Sequence, residues 1–274
     1  MQKTLIRKPV ASGKFYPSSP EQLKSLIGSF IDKRPVYREN SLACMLPHAG
    51  YIYSGRVAVE TLSRANIKNN LILLGTNHTG YGLAFSIMTE GKWQTPLGEV
   101  AINSVLAKHM LKSSKFLEED SLAHTYEHSI EVQLPILQYF RKDFSIVPIT
   151  VSSQDLHALK MVGLEIAAAL EQGDFLDSTM IISSSDMTHY ESQEAAVKKD
   201  SIAIEAILAL DEDKLMEKVR DLDISMCGYM PTIVMLVAAK KLGAKSAKLI
   251  KYETSANATG DASSVVGYAG VIIH

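Results

Sequence analysis

Four short segments of the chain carry side chains suited to metal and proton chemistry. Residues 47–51, Pro-His-Ala-Gly-Tyr, bring His48; residues 75–78, Gly-Thr-Asn-His, bring His78; and Met226-Cys227-Gly228-Tyr229 brings a thiol. Residues 183–190, Ser-Ser-Ser-Asp-Met-Thr-His-Tyr, add a carboxylate at Asp186 and an imidazole at His189. Two neutral imidazoles and a thiolate suit a borderline or soft ion such as zinc, copper or iron. Each segment stands where an apolar run ends or a helix opens. There α/β proteins hold side chains rigidly around one crevice.

His48 follows an apolar run and Pro47, which cannot donate to a sheet ladder, and precedes Gly50, which permits a sharp turn. His78 follows the apolar run 71–74. Taken singly, His48 would serve equally well as a turn histidine bonded to the backbone and His78 as a surface-loop histidine; two of them, each ending an apolar strand, favour one shared site. Tyr51 and Asn77 flank them as pocket residues. Cys227 precedes a helix opening near residues 229–231, whose N-terminus would stabilise a thiolate. A buried, inert cysteine is the alternative, and Cys44, inside an apolar strand, is read that way.

Residues 124–131 are the densest polar cluster. A helix from about Tyr126 would set Glu127 and Glu131 on one face, with His128 beside Glu131. A carboxylate facing a ligand imidazole fixes its tautomer and raises its basicity, and His128 could also carry a proton. A plain helix start, with Glu127 near the positive end of the dipole, is the competing reading. Asp186 could orient His189 or a neighbouring ligand while His189 serves as general acid or base. If Asp186 or Ser185 only caps a helix, His189 is idle. His109, His157 and His274 sit in no motif and read as surface residues.

The elements that must position these groups follow from hydrophobic periodicity. Ser19, Pro20 and Gln22 mark a helix start with a capping box. Strands are expected at 41–46, 70–74, 144–151 and 179–183, and helices at 56–64, 156–170, 193–210 and 231–242. A local hairpin is expected within 85–102, around Thr95-Pro96-Leu97-Gly98, and two closing strands at 248–253 and 264–273. This alternation predicts one α/β/α domain over residues 1–274, with a mixed central sheet and with His48 and His78 at neighbouring strand ends. No Pro-, Gly- or Ser-rich linker divides the chain.

At 274 residues, with 46% hydrophobic and 21% charged content, the chain has the composition of an ordinary globular protein. A net charge of -2 gives no case for nucleic acid or an anionic membrane surface. No apolar run approaches the ~20 residues that span a bilayer. The basic N-terminal residues 1–8 lack the apolar stretch of a secretory signal. Two cysteines do not suggest a disulfide framework, so a reducing, cytoplasmic setting is expected.

Taken in order, Pro-His-Ala-Gly-Tyr, Gly-x-Asn-His, Glu-His-Ser-Ile-Glu-x-Gln-Leu-Pro, Ser-Ser-Asp-x-x-His-Tyr and Cys-Gly-x-x-Pro resemble the Memo family. The match runs from residues 11–17, Ala-Ser-Gly-Lys-Phe-Tyr-Pro, to residues 267–270, Gly-Tyr-Ala-Gly. The resemblance implies a fold related to the extradiol ring-cleaving dioxygenases, which use non-haem iron(II). It implies association with AMMECR-type and radical-SAM proteins in bacteria and archaea, and links eukaryotic members to cell motility and metal-dependent redox activity. It places metal ligands on His48, His78 and Cys227, and the dioxygenase base on His189 with Asp186 in support. The dioxygenase pattern has two histidines and a glutamate. The thiolate found here instead favours copper, zinc or a redox-active iron site and argues against ring cleavage. Two functions follow: a metal-dependent redox enzyme, with iron or copper ahead of zinc, or a binding module that holds a peptide or small ligand in the same crevice.

Overall fold

The apolar runs 43–46, 70–76 and 179–184 are long enough for strands and too short for helices, and β-branched residues recur in two of them. In the computed structural model, which describes residues 5–32 and 37–274, all three are strands of one large sheet. Met1–Thr4 of the basic N-terminal run lie outside the described residues. The first half of the chain forms β1 (Ile6–Arg7), α1 (Pro20–Ser29), β2 (Ala43–Leu46), α2 (Tyr51–Ser63), β3 (Asn70–Thr76), β4 (Phe85–Ile87), β5 (Lys92–Thr95), β6 (Gly98–Ile102), α3 (Ser104–Ser113), β7 (Glu118–Glu119), α4 (Leu122–Thr125) and α5 (Gln133–Phe140). There follow β8 (Ser145–Val151), α6 (Leu156–Gln172), β9 (Thr179–Ser184), β10 (His189–Glu191), α7 (Gln193–Leu208), α8 (Glu212–Asp221), α9 (Tyr229–Lys241), β11 (Ala247–Thr254), α10 (Ala256–Thr259) and β12 (Val265–Ile273).

The sheet runs β1-β5-β6-β8-β3-β9-β2-β12-β10, with β11 on β12 and with β4 joining β8 to β7. Its centre, β8, β3, β9 and β2, is parallel, whereas β12 pairs antiparallel with β2 and β5 with β6. The sheet is therefore mixed. Every residue of β2 and β9 is buried, as expected of parallel strands covered on both faces. α2 packs on β2, β11 and β12 together with α1 and α5, while α9 packs on β2, β3 and β9 beside α6 and α8. The result is a three-layer α/β/α arrangement. Ser19 caps α1 through the Gln22 amide (3.3 Å), with Pro20 at the first helical position.

Several elements depart from the sequence reading, and two of the departures shape the site. His48 and His78 do not follow neighbouring strands, because β9 lies between β2 and β3. The C-terminal ends of three parallel strands therefore meet side by side, and the 185–189 segment emerges between the two histidines. Nor does a helix run from Tyr126. The Glu127 carboxylate accepts the amides of His128 and Ser129, both at 2.8 Å, and this local turn takes the place of helical bonding there; the first helical bond is that of the Val132 amide to the His128 carbonyl (3.1 Å), just ahead of α5 at Gln133. α2 starts at Tyr51, ahead of the expected 56. β4 leaves the expected hairpin to pair with β8, so the hairpin is β5–β6 alone. α3 and α8 were not anticipated; α8 is mostly charged and buries only Glu212, Leu215, Met216 and Val219, too short a stripe to stand out.

Candidate metal centre

His48 lies two residues beyond β2 and is almost wholly buried, at 2% exposure. Its orientation is set by a chain of hydrogen bonds. Ser184 Oγ donates to the Ser129 carbonyl (2.6 Å) and accepts from Gln133 Nε2 (2.8 Å), whose second hydrogen goes to the Pro47 carbonyl (2.9 Å). With its own hydrogen committed, Ser184 Oγ can only accept from His48 Nδ1, 3.0 Å away. The imidazole is thus the Nδ1–H tautomer, with its Nε2 lone pair facing Cys227 Sγ at 3.2 Å. Burial, together with the charges of His78 and His128, holds its pKa well below the ordinary value, so the ring is neutral.

His78 follows β3 and is fixed by Glu127. Its Nδ1–H donates to Glu127 Oε1 (2.9 Å) and its amide to Glu127 Oε2. Burial alone would raise the Glu127 pKa, but the bond and charge of His78, the charge of His128 and the Ser129 amide outweigh it and hold it at about 2. The carboxylate is ionised and can only accept, which leaves His78 Nε2 as a free donor atom. Asn77 shapes the turn beneath, Oδ1 accepting the Thr79 and Gly80 amides and Nδ2 donating to the Tyr81 carbonyl.

Cys227 arrives from the other side of the sheet, just ahead of α9. Gly228 makes this approach possible: a Cβ there would stand 2.4 Å from both the Ser184 carbonyl oxygen and the Ser185 Cβ. Thr76 Oγ1 donates to the Cys227 carbonyl (2.9 Å), tying the end of β3 to the same point. Burial, with the Asp186 charge adding to it, pushes the thiol well above its ordinary pKa. The helix terminus alone does not yield the expected thiolate; a cation at this point would reverse the balance.

One ligand atom from each of His48, His78 and Cys227 lies within 4.8 Å of the other two, close enough to share one ion. His78, Glu127 and His128 satisfy the same spacing, but the Glu127 oxygens are already occupied by N–H groups. The two imidazoles and the thiol therefore form the better donor set, with each imidazole offering Nε2 and holding Nδ1–H against an acceptor.

A family profile described as "Memo-like protein" matches residues 7–272. The chain belongs to the Memo family. MEMO1 family proteins of Methanopyrus kandleri and Methanocaldococcus jannaschii are 41% and 42% identical to it, over 97% and 98% of this chain and 98% and 99% of their own. The Aquifex aeolicus MEMO1 family protein is 40% identical, over 97% of this chain and 98% of its own. The crystal structure of an uncharacterized protein from Escherichia coli K12 shares the fold, at a TM-score of 0.56 and 12% identity, covering 84% of this chain and 98% of that one.

In this Memo chain His48 and His78 line a crevice of about 510 Å³ together with Lys14, Phe15, Tyr53, His128, Asp186, His189 and Tyr190, and Cys227 Sγ lies behind that wall against His48 Nε2. His189 donates Nδ1–H to the Ser225 carbonyl (2.9 Å) and its amide to Ser225 Oγ (2.7 Å), so Nε2 is left with its lone pair. Asp186 does not bond the His189 side chain. Its Oδ1 accepts the amides of His48 (2.8 Å) and Ala49 (3.3 Å), which fixes the backbone of a donor residue. Burial pushes its pKa up to about 6. His128 stacks on His78 (4.8 Å, 27°) and meets His48 edge-on (5.6 Å, 87°).

Two expected pocket residues serve elsewhere. Glu131 turns away from the imidazoles to pair with the Arg7 guanidinium and to accept the amides of Val10 (2.8 Å) and Ala11 (2.9 Å) and the hydroxyl of Tyr16 (2.6 Å). Tyr51 is buried and donates to the Val132 carbonyl, behind the crevice wall. His109 is half-buried, its ring 6.4 Å from Phe175. Ser184, Gln133, Lys14, Phe15, Tyr53 and Tyr190 also shape the site without being candidates from the sequence. Gln133 and Ser184 fall inside recognised motifs, and Tyr190 adjoins His189 at a bulge in the β10–β12 pairing with φ of 60°. Lys14 and Phe15 fall inside the segment 11–17 that opens the family match, but nothing in its residue types announces a crevice wall.

Proposed function

We propose that this crevice is the active site of a metal-dependent redox enzyme, with His48 Nε2, His78 Nε2 and Cys227 Sγ as the ligands. The carrying observation is that both imidazoles are held in the Nδ1–H tautomer with Nε2 turned to the same point as the sulfur. The thiolate makes copper or iron the favoured ion, with zinc possible. Bound there, it would supply Lewis-acid or one-electron chemistry. The remaining steps belong to the chain's own side chains. His189, with Nδ1–H anchored, accepts or returns a proton at Nε2; Asp186 keeps the His48–Ala49 turn in place; His128 and Phe15 close one wall against water. Association with AMMECR-type and radical-SAM proteins, and a reducing cytoplasm that keeps Cys227 a thiol, belong to the same reading.

His189→Ala should leave the metal content of the purified protein nearly unchanged while slowing metal-dependent turnover by about 10²–10⁴-fold. Cys227→Ser should weaken copper binding far more than manganese binding, because only sulfur is soft. Metal analysis and oxygen-consumption assays on these variants read both. Loss of metal in His189→Ala would make it a ligand. A wild type that is inactive with iron, copper and zinc, yet binds ligands equally with and without metal, would leave a binding module in place of the enzyme.

A further inference from the structure

The crevice has two chemically distinct ends. At the inner end stand the buried His48 and Asp186, with Cys227 Sγ behind them against His48 Nε2 (3.2 Å) and His78, His128 and His189 beside them. At the mouth stands Lys14, exposed and with no ion-pair partner among the described residues. Among the described residues that line the crevice Asp186 is the only carboxylate, and its Oδ1 is committed to two backbone amides. The mouth therefore presents an ammonium group without a countercharge, beside Phe15, Tyr53 and Tyr190.

The position of Lys14 is built. Its amide and that of Phe15 both donate to the Ala11 carbonyl (3.0 and 2.8 Å), and the Gly13 amide donates to the Tyr16 carbonyl (2.8 Å). Gly13, at φ of 79°, supplies the left-handed turn that this loop requires. The Phe15 carbonyl accepts the Tyr51 amide (2.8 Å), docking the loop on α2. The Phe15 ring packs on His128 at 4.5 Å. From beneath, Glu131 holds Val10, Ala11 and Tyr16. A loop fixed at both ends and along its underside keeps the Lys14 backbone beside the crevice, and only the side chain remains to be ordered by a ligand.

We propose that Lys14 is an anion-recognition subsite, so that the ligand of this crevice is a small organic anion. Its carboxylate or phosphate ester meets Lys14 at the mouth, and its body lies along Phe15, Tyr53 and Tyr190. Its other end reaches the two donor imidazoles and His189. The proposal rests on the active-site reading for what happens at the inner end, but recognition at the mouth does not require the ion.

The test uses phenylacetate, phenyl phosphate and the neutral analogue phenylacetamide as probes, with affinities measured by calorimetry on zinc-loaded and metal-stripped protein. At least one anion should bind more tightly than the amide by on the order of tenfold, as for a charge-assisted contact near solvent; the stronger of the two identifies the acid class. Lys14→Met should abolish that preference in both preparations, and Lys14→Arg should retain it. Equal affinity for acid and amide overturns the subsite, as does a preference that survives Lys14→Met, since the imidazoles or the ion would then hold the anion. Failure of the metal reading shows separately, as no uptake of copper, iron or zinc by the parent protein.

Discussion

Ser184 is the residue on which the chemistry of His48 turns, although it touches no substrate. Its hydroxyl is the acceptor that fixes Nδ1–H, and Gln133 and the Ser129 carbonyl leave it no other role. Ser184→Ala would strand a buried N–H and free the ring to place its hydrogen on Nε2, the nitrogen that faces Cys227. Competition with a chromophoric chelator should show metal affinity about 10–100-fold weaker, the usual consequence of losing such a support. Unchanged affinity would mean that Ser184 does not set the tautomer. The candidate donors stood out because His48 and His78 each end an apolar run and Cys227 immediately precedes a helix. Ser184 was not, because a serine beside other serines carries no mark of its partner.

At the scale of elements, the site depends on how closely α9 approaches the end of β9. Gly228 has an ordinary φ of -101°, so alanine there is limited by crowding, with its Cβ 2.4 Å from backbone and side-chain atoms. Relief requires the opening of α9 to lift away, carrying Cys227 with it. Gly228→Ala should cost about 1–3 kcal/mol of stability and lower metal occupancy, read by thermal melting and metal analysis of the same sample. A variant that melts lower but keeps full occupancy would show that Cys227 is not placed by this approach. The central strands and α6, α7 and α9 were readable from periodicity, because long apolar patterns survive tertiary context. Residues 126–129 were not: the helical spacing of Glu127 and Glu131 is real, but the Glu127 carboxylate takes the amides of His128 and Ser129, which holds this stretch in a turn.

Over the whole molecule, buried imidazoles make the fold sensitive to acid. His124 is fully buried, donates Nε2–H to the Ser86 carbonyl (3.1 Å) and meets Trp93 edge-on at 5.7 Å. Burial, with Arg7 adding its charge, lowers its pKa from 6.5 to about 4. Between those values the unfolded chain binds the proton and the folded one does not, so stability falls as pH drops from about 6.5 toward 4. At about 1.4 kcal/mol per tenfold in proton affinity, His124 alone accounts for on the order of 3 kcal/mol. His124→Gln, which can keep a donor near Ser86, should flatten the pH dependence in urea unfolding between about pH 7 and pH 4.5. A slope as steep as that of the parent would place the sensitivity in the other buried histidines.

His48 and Cys227 meet across 179 residues of chain. Such a chelate has no local precursor: in the unfolded state, closing so long a loop costs entropy that a short Cys-x-x-Cys turn never meets. Any ion the site holds therefore distinguishes folded from unfolded chain almost completely. Its binding energy passes into global stability, by about 2.7 kcal/mol when free ion stands at a hundred times the dissociation constant. An ion held there would thus also be a clasp, joining the ends of β2 and β3 to the start of α9 at a point where no covalent link does so.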